Sequence, residues 1–147
     1  MPRKTILAAF PRLQKTHFLI TSQHDPGYNC IGWAAGDTHN FWWPLHHPHA
    51  YWPPGLERRE ALECFLEAFA TLGYQPCDNG SLEAGFEKVA LFVDSNGVPK
   101  HAARQLPSGS WTSKLGEHED ISHSIYGLEG STYGTVAKYL RRPRKAA

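Results

Sequence analysis

Apolar residues change period along this chain. Leu62, Phe65, Leu66, Phe69 and Leu72 recur at three- and four-residue spacing and make one helical face. That spacing predicts a helix over 56–72, with Gly73 as its stop. Further on the pattern becomes strand-like. Residues 86–94 read as a buried strand, Asn96-Gly97 as a hairpin turn and 100–106 as the returning strand. A turn at Pro107-Ser108-Gly109-Ser110 leads to a third strand over 111–115. Upstream, 16–21 reads as a short strand before the Asp25-Pro26-Gly27 turn. The apolar stretch 28–37 predicts a short helix around Cys30, capped by Asn29 and ended by Gly36-Asp37. Residues 116–130, with Glu117-His118-Glu119-Asp120, read as loop, and 132–140 as a closing helix. Helices first and antiparallel strands after predict one α+β domain over 1–140, followed by a frayed basic tail, 141–147.

Residues 38–55 fit neither period. Four prolines (Pro44, Pro48, Pro53 and Pro54) bar a continuous helix, while Trp42, Trp43, Tyr51 and Trp52 favour an ordered, packed loop. His39, His46, His47 and His49 cluster there, but Asp37 is the only acidic neighbour, and the HEXXH and CxxC templates are absent. The expectation is a packed loop that also walls a cleft, with no metal and no cofactor.

Composition narrows the partners. The 147 residues carry 15 Lys+Arg against 14 Asp+Glu, a net charge of +1, so overall charge favours neither nucleic acid nor an anionic membrane. With 20% charged and 41% hydrophobic residues, the chain has the makings of a folded core. The apolar run from Ile6 to Phe10 stops at Pro11, too short for a signal-peptide core or a membrane span. Three cysteines without CxxC spacing make no disulfide framework, so the expected compartment is the cytoplasm.

Two residues carry the candidate chemistry. A thiol at a helix N-terminus near an imidazole is the arrangement that yields a nucleophilic thiolate, and a third polar group orients the imidazole. Cys30 stands where a helix is predicted to begin, and His101 stands near the start of a strand. The stretch Tyr28-Asn29-Cys30-Ile31-Gly32-Trp33-Ala34 resembles the nucleophile motif of NlpC/P60 cysteine peptidases, and HAARQLPSGSWTS over 101–113 resembles their second motif. The resemblance implies a papain-like fold, with a nucleophile-bearing helix packed on a small antiparallel sheet. It also implies Cys30 as nucleophile, His101 as general base and acid, and Ser113 in the orienting position. Asn29, Trp33, Trp42, Trp43 and Gln105 are then the candidate substrate-binding residues. The same stretches, with WTSKLG and Asp-Ile-x-His, also resemble an uncharacterised bacterial domain family, which implies no activity.

Register leaves the third member open. An odd-length turn with Gly109 left-handed puts Ser113 on the face of His101, and an even-length turn puts Thr112 and Lys114 there. Gln105 shares the face of His101 by alternation, and Asp120 and His123 follow close enough to reach back. The expected function is a cysteine hydrolase (peptidase or amidase) that cleaves an amide, isopeptide or ester bond by acyl transfer, acting on a peptide-like substrate. The alternative is a catalytically inactive papain-like fold that acts as a protein-binding or toxin/effector-related module.

Overall fold

A computed structural model describes residues 3–22, 25–115 and 119–145. The loop expected to carry Glu117 and His118 lies partly outside the described residues. Four α-helices are present among them, α1 (Arg3–Ala9), α2 (Cys30–Ala35), α3 (Leu62–Ala70) and α4 (Ile125–Leu128), with a 3-10 turn over Pro11–Gln14. Nine strands accompany them: β1 (Leu19–Ile20), β2 (Phe41–Trp42), β3 (Ala50–Tyr51), β4 (Gln75–Cys77), β5 (Phe86–Val93), β6 (Pro99–Gln105), β7 (Trp111–Lys114), β8 (Asp120–His123) and β9 (Thr135–Pro143). Seven strands form one antiparallel sheet in the order β1-β8-β7-β6-β5-β9-β4, and β2 and β3 make a small parallel pair apart from it. The domain is therefore α+β with a mostly antiparallel sheet. Among the described residues, no helix is long and apolar enough to cross a membrane.

The sheet is covered on both faces. Val89, Leu91, Ala102 and Leu140 pack with Cys30, Ile31 and Ala34 of α2 and with Phe65 and Phe69 of α3. Ala90, Phe92, Ala103, Trp111 and Ile121 pack with Ile6, Phe10, Leu13 and Leu128. Strand alternation sorts β5 and β6 between these two clusters, so neither strand has a solvated side. Burial of both faces is the largest stabilising term here, at roughly 25 cal/mol per Å² of apolar area.

Helix α3 begins later than its periodicity predicts. The carbonyl of Glu57, which a longer helix would use internally, accepts instead from the Trp52 indole at 3.1 Å. Arg59 pairs with Glu57 and Glu63 on the outside. Gly73, at φ +92°, follows the last turn as expected.

The expected closing helix over 132–140 is a strand instead. β9 pairs with β5 over eight residue pairs, from Phe86↔Pro143 to Val93↔Thr135. Tertiary pairing overrides the local helical spacing, helped by β-branched Thr135 and Val136. The expected tail is corrected in the same way. Arg141 and Arg142 lie within β9, where Arg142 Nε donates to Glu87 at 2.6 Å and Arg141 pairs with Glu83.

Gly134 opens this strand at φ +80°, and a Cβ there would meet the Val93 carbonyl oxygen at 1.8 Å. Gly55 has a similar φ of +82° with open space around it. Gly134→Ala is therefore expected to cost clearly more than Gly55→Ala, which carries only the left-handed term of about 1–2 kcal/mol. Urea unfolding of the two variants measures this, and equal losses would show that the β5–β9 junction relaxes around the added methyl.

Candidate functional site

Cys30 starts α2 because Asn29 caps the helix. Asn29 Oδ1 accepts from Gly32 N at 3.0 Å and from Trp42 N at 2.9 Å, while its Nδ2 donates to the Trp42 carbonyl at 2.7 Å. One buried amide thus caps α2 and ties it to β2. Gly32 is needed for the same approach, since a Cβ there would stand 2.7 Å from the Asn40 carbonyl oxygen. Cys30 is 7% exposed as a residue, and its thiol sits over Ala102. Burial pushes its pKa up to about 11, against the opposing effect of nearby backbone amides, chiefly that of Ala102. At neutral pH it is a thiol, not a thiolate.

The structure does not bring Cys30 and His101 together. Ala102 lies under α2, so the preceding residue on β6 projects through to the other face. His101 pairs across β5–β6 with Phe92, in the second core cluster, and its ring meets Phe92 edge-on at 5.3 Å. Its other face stacks on Tyr133, with centroids 4.0 Å apart and planes 6° apart.

His101 has found different partners. Gly109 is left-handed at φ +94°, and the turn between the paired residues Gln105 and Trp111 has odd length, so Ser113 falls on the face of His101. Ser113 Oγ lies 2.8 Å from His101 Nε2 and 2.7 Å from His123 Nε2. His123 Nδ1 lies 2.7 Å from the Ser124 carbonyl oxygen, an acceptor only. The proton positions follow from that end. His123 Nδ1–H donates to Ser124, so Nε2 accepts from the Ser113 hydroxyl. Ser113 Oγ in turn accepts from His101 Nε2–H. His101 Nδ1 is left with a lone pair and no partner among the described residues. Ser113 is thus the middle of a buried His–Ser–His chain and has no contact with a Cys–His pair.

Both imidazoles are held neutral. Burial drives the His123 pKa down to about 4, and burial followed by the neighbouring His123 drives His101 well below its ordinary value. Asp120 takes no part. It sits opposite Lys114 on the α2 face and accepts from the Tyr28 hydroxyl at 3.0 Å.

The expected substrate-binding tryptophans have their indole N–H groups committed. Trp33 donates to Thr112 Oγ1 at 3.1 Å beneath the Arg104 guanidinium, Trp42 to Asp37 at 2.8 Å and Trp43 to Glu60 at 3.0 Å. The 38–55 segment is ordered by these bonds and by the packing of Trp43 and Trp52 on Phe65. His39, His47 and His49 line a cavity of about 360 Å³ beside Phe41 and Leu45. Among the described residues, no three metal-ligating side chains converge.

A larger cleft, about 780 Å³, opens on the face that holds His101. Trp111, His123 and Tyr139 contribute to its surface from β7, β8 and β9, and segments 80–82, 108–110 and 122–125 line it further. Gln105 supports one wall from below: its Nε2 donates to the Gly80 carbonyl at 2.8 Å, and the residue is 3% exposed. Lys88, also buried, fixes the same segment by donating to the Asn79 carbonyl at 2.9 Å. Sequence reasoning had marked His123 as within reach, but not the cleft it helps to line. No short-range signal marks it, because its walls come from five separate parts of the chain, around residues 17, 80–82, 108–111, 122–125 and 139.

The neutral histidines predict an acid-sensitive fold. An unfolded His protonates near pH 6.5 and the folded one only near 4 for His123, so the unfolded state binds more protons between those values. Stability is full above about pH 6.5 and is expected to fall towards pH 4, by on the order of 3 kcal/mol from His123 alone. Urea unfolding at a series of pH values measures this. His123→Gln should flatten the slope, and an unchanged slope would show that His123 is not held neutral.

No curated protein and no solved structure matches the chain. The comparisons show no NlpC/P60 resemblance, whereas membership of an uncharacterised family is shown. A family model matches residues 19–141, from β1 into β9, and the chain belongs to the family described as Domain of unknown function (DUF7689).

Proposed function

We propose that this domain is a binding module and does not work as a Cys–His acyl transferase. One observation carries the reading: Cys30, on the helix that packs over one face of the sheet, and His101, which projects from the other face, are separated by the sheet. Acyl transfer needs the base within hydrogen-bond reach of the nucleophile. Three further features agree with the reading. The thiol is buried and protonated, the Nε2 of His101 is engaged by Ser113, and the indole N–H groups beside α2 are used within the fold. The papain-like element of the proposal is limited to the scaffold, a helix that begins at a cysteine and packs on an antiparallel sheet. Fold resemblance of that kind does not bring the chemistry with it. The proposed seat for a partner or ligand is the cleft bordered by Trp111, His123 and Tyr139.

Residue-resolved alkylation tests this reading. Cys30 and Cys64 are buried and Cys77 is partly exposed, so iodoacetamide near neutral pH is expected to modify Cys77 first. Cys30 should react only as the domain unfolds. Selective labelling of Cys30 in the folded protein would overturn the proposal. So would turnover of an ester, amide or peptide substrate that is lost in Cys30→Ala.

A further inference from the structure

The chain is 20% charged, yet none of the 13 residues lining the 780 Å³ cleft is Asp, Glu, Lys or Arg. At the overall composition, about two or three of the 13 would be charged. Nearby charges are spent elsewhere. The Lys88 ammonium is bonded to Asn79 and Glu83 behind the wall, and Arg141 is paired with the same Glu83. Arg104 and Lys114 lie on the opposite face, over Trp33 and Tyr28. The lining holds two imidazoles: that of His123 is held neutral by burial, and His17 stands exposed at the rim.

What the lining offers is mixed. Ser81, Ser108, Ser110 and Ser124 contribute hydroxyls to it, while Ser122, paired with Thr112, turns its side chain to the α2 face. Apolar surface accompanies them: Leu82, which is 53% exposed, and the half-buried ring of Tyr139, backed by Trp111, which is itself only 4% exposed. A charged ligand would lose hydration here and meet no Asp, Glu, Lys or Arg side chain in return. A wholly apolar ligand would leave serine hydroxyls unpaired. A neutral molecule with many hydroxyls and apolar C–H faces meets both demands. The volume falls within the roughly 300–1,000 Å³ typical of small-molecule sites.

The site is also preformed. Trp111, His123 and Tyr139 sit on paired strands, the left-handed Gly109 sets one wall, and Gln105 and Lys88 pin the other. The walls approach at one end, where a Cβ on Gly109 would lie 3.7 Å from Leu82. Preformed walls reduce the ordering cost of binding.

We propose that this cleft binds an uncharged sugar, of mono- or disaccharide size. The proposal rests on the binding-module reading and names the ligand class of that same site. The test is amide chemical-shift perturbation of the full chain with glucose, galactose, N-acetylglucosamine, maltose and cellobiose. Glucuronate, glucosamine and a capped neutral tripeptide serve as controls. At least one neutral sugar is expected to shift signals confined to the lining, at residues 17 and 139 and segments 80–82, 108–111 and 122–125. Its charged analogue should bind weaker by about tenfold or more, for want of an Asp, Glu, Lys or Arg partner. Ser110→Trp fills the cleft from an exposed rim position and is expected to abolish the shifts while leaving the rest of the amide spectrum in place.

The inference is overturned if no neutral sugar perturbs these segments. It is equally overturned if the charged analogues bind as well, if the tripeptide is preferred, or if Ser110→Trp retains binding with its fold intact. Failure here is separable from failure of the functional reading. Cys30-dependent turnover with sugar shifts intact overturns the non-catalytic reading alone. Absent shifts with no turnover overturn the sugar alone.

Discussion

The central strands β5 and β6 are buried on both sides, so every second residue commits to one of two separate cores. That constraint organises the molecule. On β6, Ala102 and Arg104 face α2, while His101, Ala103 and Gln105 face the other layer. No small adjustment moves one of these side chains across, because a one-residue slip would exchange all of them and bury Arg104 where Ala103 now packs. The separation of Cys30 from His101 is therefore fixed by the sheet itself. It does not depend on a rotamer.

The second face carries an unusual load of polar groups. His101, Ser113, His123 and Gln105 are all at most 3% exposed, within a core that is otherwise apolar. Such groups are tolerated when their hydrogen bonds are made and the ionisable ones stay neutral. The His–Ser–His chain achieves both with one hydroxyl acting as donor and acceptor at once. Two acceptors of this group stay unpaired: His101 Nδ1, beside the stacked ring of Tyr133, and Gln105 Oε1. Fixing three side chains in one directional sequence specifies register: a shifted β7 would present Thr112 or Lys114 to His101 and leave both imidazoles without their partner.

Much of this was legible before the structure. Asn29 as a cap, Gly36 as a stop and Asn96-Gly97 as a hairpin turn are local chemistry, and each appears where local chemistry puts it. Gln105 on the face of His101 followed from alternation alone. The same rule placed Ala102 on the opposite face, but periodicity does not say which face a distant helix will cover. That depends on where α2 docks, and α2 docks over Ala102. The strand over 135–143 was hidden for a related reason. Its partner β5 lies some fifty residues earlier, and a non-local ladder leaves only a weak mark on the local pattern. Tyr133 was overlooked likewise, since a ring that stacks on His101 from outside the paired strands has no spacing signature.

The location of the cleft follows from the same two-sided burial. Helices α1 and α4 cover the part of the second face around Ile121 and Phe92, leaving the part bordered by Trp111, His123 and Tyr139 to loops. Loops ordinarily bring exposed charges to such a border. Here the buried ammonium of Lys88 draws the 79–83 segment inward and pairs with Glu83, which also takes Arg141. One buried cation thus positions a wall and removes charge from the cleft behind it. Loss of that ammonium would leave Glu83 with Arg141 alone and free the Asn79 carbonyl, loosening the wall while the sheet beneath stays paired. The neutrality of the cleft is in this sense a product of the core below it.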